Sequence, residues 1–182
     1  MRVSREEKER SHERILESAS RMFRAQGVDG PSVAEIMTAA GMTHGGFYRH
    51  FDTREDLLAA ALAAAFDQFL SVLDGRIRDQ GAVASVAALK SLYLSDGHVA
   101  HPELGCPLPA LGGDVARGSD ELKAVFGAGL DRVVTAMAAG LQGSEAERRE
   151  QALRDIAMMA GAVMLARASD AQTGKDILAA CR

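Results

Sequence analysis

One stretch near the N-terminus, SVAEIMTAAGMTHGGFYRHF at residues 32–51, constrains the fold more than any other part of the sequence. Ser32 and Glu35 have the spacing of a capping box, in which the two side chains satisfy backbone N–H groups at the start of a helix. Gly41 then ends that helix, because glycine readily adopts the left-handed conformation that a helix C-terminus often requires. We therefore predict two short helices joined by a tight turn.

The second helix of this pair is too polar and too rich in glycine for an ordinary core helix. Thr43 is predicted to cap it, and Phe47 is its one buried aromatic. Gly45 and Gly46 each cost roughly 1 kcal/mol relative to alanine in a helix interior, a cost that is easier to explain if a partner must approach closely. A helix-turn-helix that enters the major groove of DNA has this arrangement. A helical hairpin within an ordinary α-domain is the alternative.

The run from Gly41 to Leu58, GMTHGGFYRHFDTREDLL, resembles the DNA-binding signature of the TetR family of bacterial transcriptional repressors. The preceding helix, with Ala19 and Phe23, fits the same signature. The resemblance implies an all-α homodimer. It implies an N-terminal three-helix, helix-turn-helix DNA-binding domain over residues 1–52, and a C-terminal helical domain for ligand binding and dimerisation over residues 53–182.

The resemblance also assigns roles to individual residues. It implies that the start of the second helix faces the groove, that Tyr48 and His50 touch phosphates, and that Arg54 meets the DNA backbone where the family usually has lysine. The start of the first helix would offer N–H groups to a phosphate. The expected DNA-binding residues are Ser32, Val33, Thr43, His44, Gly45, Tyr48, Arg49, His50 and Arg54.

Composition and charge are compatible with this hypothesis. The chain has 182 residues, of which 47% are hydrophobic and 25% charged, as is typical of globular proteins. The formal net charge is −4, but residues 1–54 contribute +1 (9 Lys and Arg against 8 Asp and Glu) and the remainder −5 (12 against 17). Because DNA binding depends on where the cations lie, the overall acidity does not exclude it.

The sequence also gives expectations about the compartment. The N-terminus is charged where a secretory signal would need an apolar segment, and no long uncharged apolar run predicts a membrane span. Cys106 and Cys181 fit a reducing compartment better than a disulfide framework. We therefore expect a cytoplasmic protein with no membrane partner.

Capping patterns and apolar periodicity divide the rest of the chain into helices. Thr53 and Asp56 open a long helix to about Arg78, and residues 95–109 break the helical pattern. We expect the last two helices, from Ser144 to Ala168 and from Thr173 to Ala180, to form the homodimer interface that the resemblance implies. The alternative is that the first of these two is an intrachain core helix.

No catalytic constellation is apparent, so we expect neither enzymatic activity nor a cofactor. His98, His101 and Cys106 resemble part of a metal site, but a fourth ligand is missing and we predict no metal. The sequence around Cys106 resembles a motif of one TetR subgroup in which this cysteine begins a helix near the inducer pocket. A thiol at a helix start can have a lowered pKa, which suggests electrophile or oxidant sensing; a small buried hydrophobe is the alternative.

The overall prediction is a ligand-responsive repressor that binds a palindromic operator as a dimer and is released by a small-molecule inducer. The alternatives are a thiol-based sensor that uses Cys106, or a helical ligand-binding bundle without a DNA function. We expect a small, largely apolar ligand in the C-terminal half. Its candidate contacts are Phe66, Phe69, Tyr93, His98, His101, Cys106, Leu108, Phe126, Met137 and Met158.

Overall fold

All regular structure in the computed structural model, which describes residues 5–182, is helical. The predicted all-α fold class, with an N-terminal helix-turn-helix followed by a helical C-terminal part, is confirmed. Two short 3₁₀ helices, His44–Arg49 and Pro102–Leu104, interrupt the series of α-helices. The α-helices of the described residues are α1 (Arg5–Gln26), α2 (Val33–Ala39), α3 (Arg54–Gln80), α4 (Ala82–Tyr93), α5 (Asp96–Ala100), α6 (Pro107–Arg117), α7 (Asp120–Ala138), α8 (Glu145–Ala168) and α9 (Ala171–Cys181).

The helix starts agree closely with the sequence. Complete capping boxes open α2, α3 and α8, formed by Ser32 with Glu35, Thr53 with Asp56, and Ser144 with Glu147. The start of α9 was predicted too late. Asp170 caps this helix by accepting from the backbone N–H groups of Gln172 and Thr173, so α9 begins at Ala171.

The N-terminal helices share one core. Its central members, Ile15 and Phe23 of α1 and Ile36 of α2, are at most 1% exposed. Phe47 and Phe51 complete this core, with their ring centroids 5.7 Å apart. The 3₁₀ helix that carries Phe47 is thereby fixed to α1 and α2.

Helix α3 runs from this N-terminal core into the C-terminal part of the protein. By length and composition alone it is apolar enough to cross a membrane, although Asp67 interrupts its apolar run. Its apolar side is buried against other helices, as in the core helix of a globular protein. The fit is close: a Cβ atom on Gly129 of α7 would overlap the ring of Phe66 of α3.

Residues 95–109 are more regular than expected. This segment contains α5 and the second 3₁₀ helix, and α6 starts at Pro107 rather than near Pro109. Proline is well tolerated in the first turn of a helix, where its missing N–H would have no intrahelical acceptor. The segment therefore folds as compact short turns against α1 and α8.

Candidate nucleic-acid interface and ligand cavity

The second helix of the helix-turn-helix is a 3₁₀ helix, His44–Arg49, and not the predicted α-helix. Thr43 occupies the N-cap position, but its side chain makes no capping hydrogen bond, so the prediction that Thr43 caps this helix was wrong. The segment is only six residues long and contains two adjacent glycines, which favour the α-helix weakly. Short segments of this kind are where 3₁₀ geometry is common.

One side of this 3₁₀ helix is open to solvent. Tyr48 is 70% exposed, and Thr43, His44, Gly45 and Arg49 are exposed beside it. A Cβ atom on Gly45 would have no neighbour within 4 Å, whereas one on Gly46 would pack 3.5 Å from the Met37 methyl group. The fold itself therefore does not require glycine at position 45, and the surface there is free for close approach by a partner.

At the start of α2, the capping box already uses one of the two expected N–H donors. The Ser32 N–H donates to the Glu35 carboxylate at 2.8 Å, and the Glu35 N–H donates to the Ser32 hydroxyl at 3.2 Å. Val33 follows as the first helical residue and is half-buried. A phosphate at this helix start would have to share or displace the Glu35 carboxylate.

The His50 side chain is half-buried, whereas a residue that contacts phosphate is expected to be exposed. Its ring stacks 5.7 Å from that of His12, and its Nδ1 atom is buried without a hydrogen-bond partner among residues 5–182. Burial lowers the pKa of His50, and the nearby His12, Lys8 and Arg49 lower it further. The imidazole therefore favours its neutral form in the free protein.

Arg54 is held by the protein itself, a role that the sequence did not suggest. Its Nη2 atom donates to the carbonyl oxygens of Val28 and, at 3.2 Å, of Pro31. The guanidinium also lies 5.6 Å from the centre of the Phe23 ring, which is within cation–π range. Arg54 thus fixes the start of α3 to the loop between α1 and α2, and its contact with DNA stays a prediction.

A cavity of about 730 Å³ lies between α1, α3, α4 and residues 95–106. Of the residues expected to bind a ligand, Phe69, Tyr93, His98, His101 and Cys106 line it. The chain segments that meet here are far apart in sequence, since α1 supplies Arg24 and α4 supplies Tyr93. The volume falls in the range of small-molecule sites, about 300–1,000 Å³.

The other expected ligand contacts lie elsewhere. Phe66 is fully buried and packs edge-to-face on Phe126, with ring centroids 5.7 Å apart, so both belong to the core between α3 and α7. Leu108 and Met137 are buried core residues. Met158 lines a separate cavity of about 220 Å³ beside Arg182. Periodicity identified these residues as apolar but did not show which helix each one faces.

The environment of Cys106 corrects the expected acidity of its thiol. Cys106 stands at the N-cap of α6, yet burial raises the pKa of its thiol to about 11, against the opposing effects of the Tyr93 hydroxyl, Arg24 and Arg167. The thiol is fully buried. Loss of water disfavours the thiolate more than the helix start favours it.

His98 fixes the backbone around this cysteine. Its Nδ1 donates to the Tyr93 carbonyl at 2.7 Å and its Nε2 accepts from the Cys106 N–H at 3.1 Å, an arrangement that requires the neutral ring. Burial lowers the pKa of His98. A Cβ atom on Gly105 would overlap the His98 ring, so glycine is needed there. His101 interacts instead with Glu103, and no group of three or more candidate metal ligands forms within residues 5–182.

Comparisons with known proteins agree with this architecture. Residues 15–61 match the model of the family described as bacterial regulatory proteins, tetR family. A 58-residue stretch is 40% identical to the HTH-type transcriptional regulator AcrR of Shigella flexneri, covering 32% of this chain and 27% of that protein. A TetR transcriptional regulator from Chloroflexus aurantiacus superposes with a TM-score of 0.74 at 26% identity, over 98% of this chain and 92% of that one.

The N-terminal part of the chain belongs to the TetR family. Its sequence matches only part of its curated relatives, less than half the length of each of the first three. The C-terminal part is related through fold. The reduced form of NemR from Escherichia coli, for example, superposes with a TM-score of 0.75 at 17% identity, over 94% of this chain and 92% of that one.

The sequence did not indicate two polar residues of the cavity wall, Arg24 and Gln68. Arg24 of α1 is 5% exposed and donates from Nη1 to the Gly105 carbonyl at 2.7 Å and from Nη2 to the Gln68 side chain at 2.8 Å. The only local signal was a charged residue directly after Phe23 on the buried side of α1. The structure makes Arg24 a direct link between the N-terminal core and the cavity.

Proposed function

We propose that this TetR-family protein is a transcriptional repressor that binds operator DNA as a dimer and is released by a small molecule in the 730 Å³ cavity. The observation that carries the proposal is the exposed surface of Thr43, His44, Gly45, Tyr48 and Arg49 on a segment anchored by buried Phe47. Tyrosine and arginine side chains contact phosphates, and the first residues of such a segment reach base edges. Such a regulator acts in the cytoplasm, where bacterial DNA lies.

The outer side of α8 supports dimerisation. Leu153, Met158, Met164 and Leu165 are each at least 42% exposed. Gly161 lies between them in the sequence, and a Cβ atom there would have no neighbour within 4 Å. A stripe of apolar and small side chains allows two helices to approach closely. Two recognition segments on one dimer would read half-sites about 34–36 Å apart.

Two polar contacts support coupling between the cavity and the DNA-facing surface. Arg24 joins α1 to the Gly105 carbonyl in the cavity wall. The Val28 N–H, just after α1, donates to the Asp114 carboxylate of α6 at 3.1 Å. A ligand that moves residues 95–106 or α6 would change the position of α1, and so would favour one of two arrangements of the recognition segments.

Gel retention of the promoter region next to the gene, at two salt concentrations, tests DNA binding. Tyr48→Ala should weaken retention about equally on all sequences, whereas His44→Ala should change which sequence is preferred. Val83→Ala, a change at an exposed apolar residue of α4 that is far from the helix-turn-helix in sequence, is the control and should retain DNA normally. Failure of the wild type to retain any of these sequences would favour a helical bundle without a DNA function.

The thiol-based alternative has one favourable observation, because Cys106 lines the cavity. Burial and the raised pKa oppose it, since the thiolate is the reactive form. Replacing Cys106 by serine should leave release by a non-electrophilic ligand intact. If the variant loses its response only to electrophiles or oxidants, the thiol-based function is correct.

A further inference from the structure

We propose that the cavity selects small apolar acids, that is, molecules with a hydrocarbon or aromatic body and one anionic group. The inference rests on the ligand-responsive function proposed above and names the chemical class of its ligand. It follows from three features of the wall: a buried cation with only neutral acceptors, a buried hydroxyl with only a thiol as a weak partner, and an apolar mouth.

The buried cation is Arg24. All of its acceptors are neutral: the Ser20 carbonyl and hydroxyl, the Gly105 carbonyl and the Gln68 side-chain oxygen. The residue is 5% exposed and lines the cavity. Burial lowers the pKa of Arg24 to about 10, so the guanidinium is still charged at neutral pH. A buried charge is costly without a counter-charge, and an anion in the cavity would supply one.

The buried hydroxyl belongs to Tyr93. It is 4% exposed, lines the same cavity, and has no nitrogen or oxygen hydrogen-bond partner within residues 5–182; it interacts only weakly, with the Cys106 thiol. Burial raises the pKa of this hydroxyl well above its usual range, so it keeps its proton and acts as a donor. Its neighbour is the Cys106 thiol, which burial also keeps protonated. The inner wall therefore offers a positive charge and a donor, the two groups that recognise a carboxylate.

The mouth of the cavity is suited to the apolar body of such a ligand. Val72, Leu92 and Leu104 are each at least 48% exposed there, although they are large apolar side chains. The acidic residues of the wall lie at the solvent-exposed rim, and two of them have local partners. Glu17 pairs with Arg21 at 3.1 Å and Glu103 with His101 at 3.2 Å, while Glu13 is exposed. The Glu103 charge acts on Arg24 but is the weakest of the effects on its pKa, so the rim offsets the inner charge only in part.

A displacement experiment on the full chain tests the preference for an anion. N-phenyl-1-naphthylamine, a neutral apolar dye that fluoresces when bound, would report on the cavity. Octanoate, 1-octanol and octylammonium share one chain and differ in the charge of the head group. We expect octanoate to displace the dye at concentrations about tenfold lower than 1-octanol, as a charge-assisted hydrogen bond predicts, and octylammonium to be the weakest.

Single substitutions test which residues produce the preference for octanoate. Tyr93→Phe should weaken octanoate about tenfold and leave 1-octanol within about twofold, while thermal stability stays constant or rises because a buried unsatisfied hydroxyl is removed. Tyr48→Phe, at the chain's other tyrosine, is the matched control and should change neither. Arg24→Gln should abolish the preference for octanoate and Arg24→Lys should keep part of it. Arg21→Gln, at the exposed rim, should have less than about a twofold effect.

Equal displacement by the three octyl compounds, or a preference that survives both Tyr93→Phe and Arg24→Gln, would overturn the proposal. So would failure of the dye to bind the wild type. If Arg24→Gln does not fold, Tyr93→Phe and Arg24→Lys still decide the question. Gel retention measured on the same preparations, without any ligand, distinguishes the two proposals. If the protein binds DNA but shows no preference for an anion, only the proposed ligand class is rejected.

Discussion

The surface that we propose to face DNA and the cavity of this protein are built in opposite ways. Residues 32–51 fold locally: the capping box of Ser32, the turn at Gly41 and the anchor Phe47 lie within twenty residues of one another. The cavity brings together Arg24, Gln68, Tyr93 and Cys106, which come from four separate parts of the chain. One surface exposes its polar groups to solvent, and the other buries a cation and a hydroxyl.

The two regions also differ in how closely they resemble known proteins. The family model covers residues 15–61, and the matches to curated relatives cover no more than about half of the chain. The C-terminal part resembles solved structures mainly in fold. A surface that meets the regular DNA backbone is constrained in its residue types, whereas a cavity is constrained only by the shape and charge of its own ligand.

The largest expected effect concerns the anchor of the DNA-facing surface. Phe47→Ala removes a buried aromatic ring and should reduce the free energy of unfolding by about 3–5 kcal/mol. Urea denaturation would measure this loss. Tyr48→Ala, the neighbouring exposed change, should lower stability by less than about 0.5 kcal/mol while still weakening DNA retention. Similar destabilisation by both variants would contradict the division between an inner and an outer side of this segment.

The second prediction tests the connection between the two regions. Asp114→Ala leaves the Val28 N–H without its acceptor and should cost about 1–3 kcal/mol of stability. It should also reduce the effect of a ligand on DNA retention. Arg117→Ala is the control, because it removes the exposed partner of the same carboxylate and should cost at most about 1 kcal/mol. Equal losses in the two variants would show that the bond to Val28 is unimportant.

The third prediction concerns the dependence of stability on pH, because burial lowers the pKa of one histidine in each region. For His50 and His98 the unfolded state binds a proton more readily than the folded state, so their contribution to stability is complete above about pH 6.5. It is lost as the pH falls through the lower pKa of the folded protein. Chemical denaturation between pH 7.5 and 5 should show this decline. His98→Asn and His50→Asn should each make it less steep, and an unchanged slope in both would contradict the assignment.

The last prediction concerns Gly45, where we expect no loss of stability. Gly45→Ala meets no neighbouring atom and should leave the protein equally stable or stabilise it by up to about 1 kcal/mol. If DNA approaches this backbone closely, retention should nevertheless fall. Gly127→Ala in α7, where a Cβ atom also has open space, is the matched control and should retain DNA like the wild type. Undiminished retention by Gly45→Ala would argue against close approach.

Local sequence patterns predicted much of this molecule correctly. The capping boxes of α2 and α3 were predicted from spacing alone, because each depends on residues three positions apart. The 3₁₀ geometry of His44–Arg49 was not predicted, because the segment is short and its two adjacent glycines favour the α-helix only weakly. The acidity of Cys106 was predicted in the wrong direction, because burial depends on residues that the local sequence does not contain.

The sequence by itself determined the helical class, the helix-turn-helix and the family, since these depend on periodicity, capping and a contiguous signature. Only the tertiary structure decided that Phe66 and Phe126 belong to the core, that Arg54 holds a loop, and that Arg24 and Tyr93 line the same cavity. The physical reason is that the side on which a helical residue is buried follows from periodicity. Which distant segment covers that side depends on how all the helices pack together.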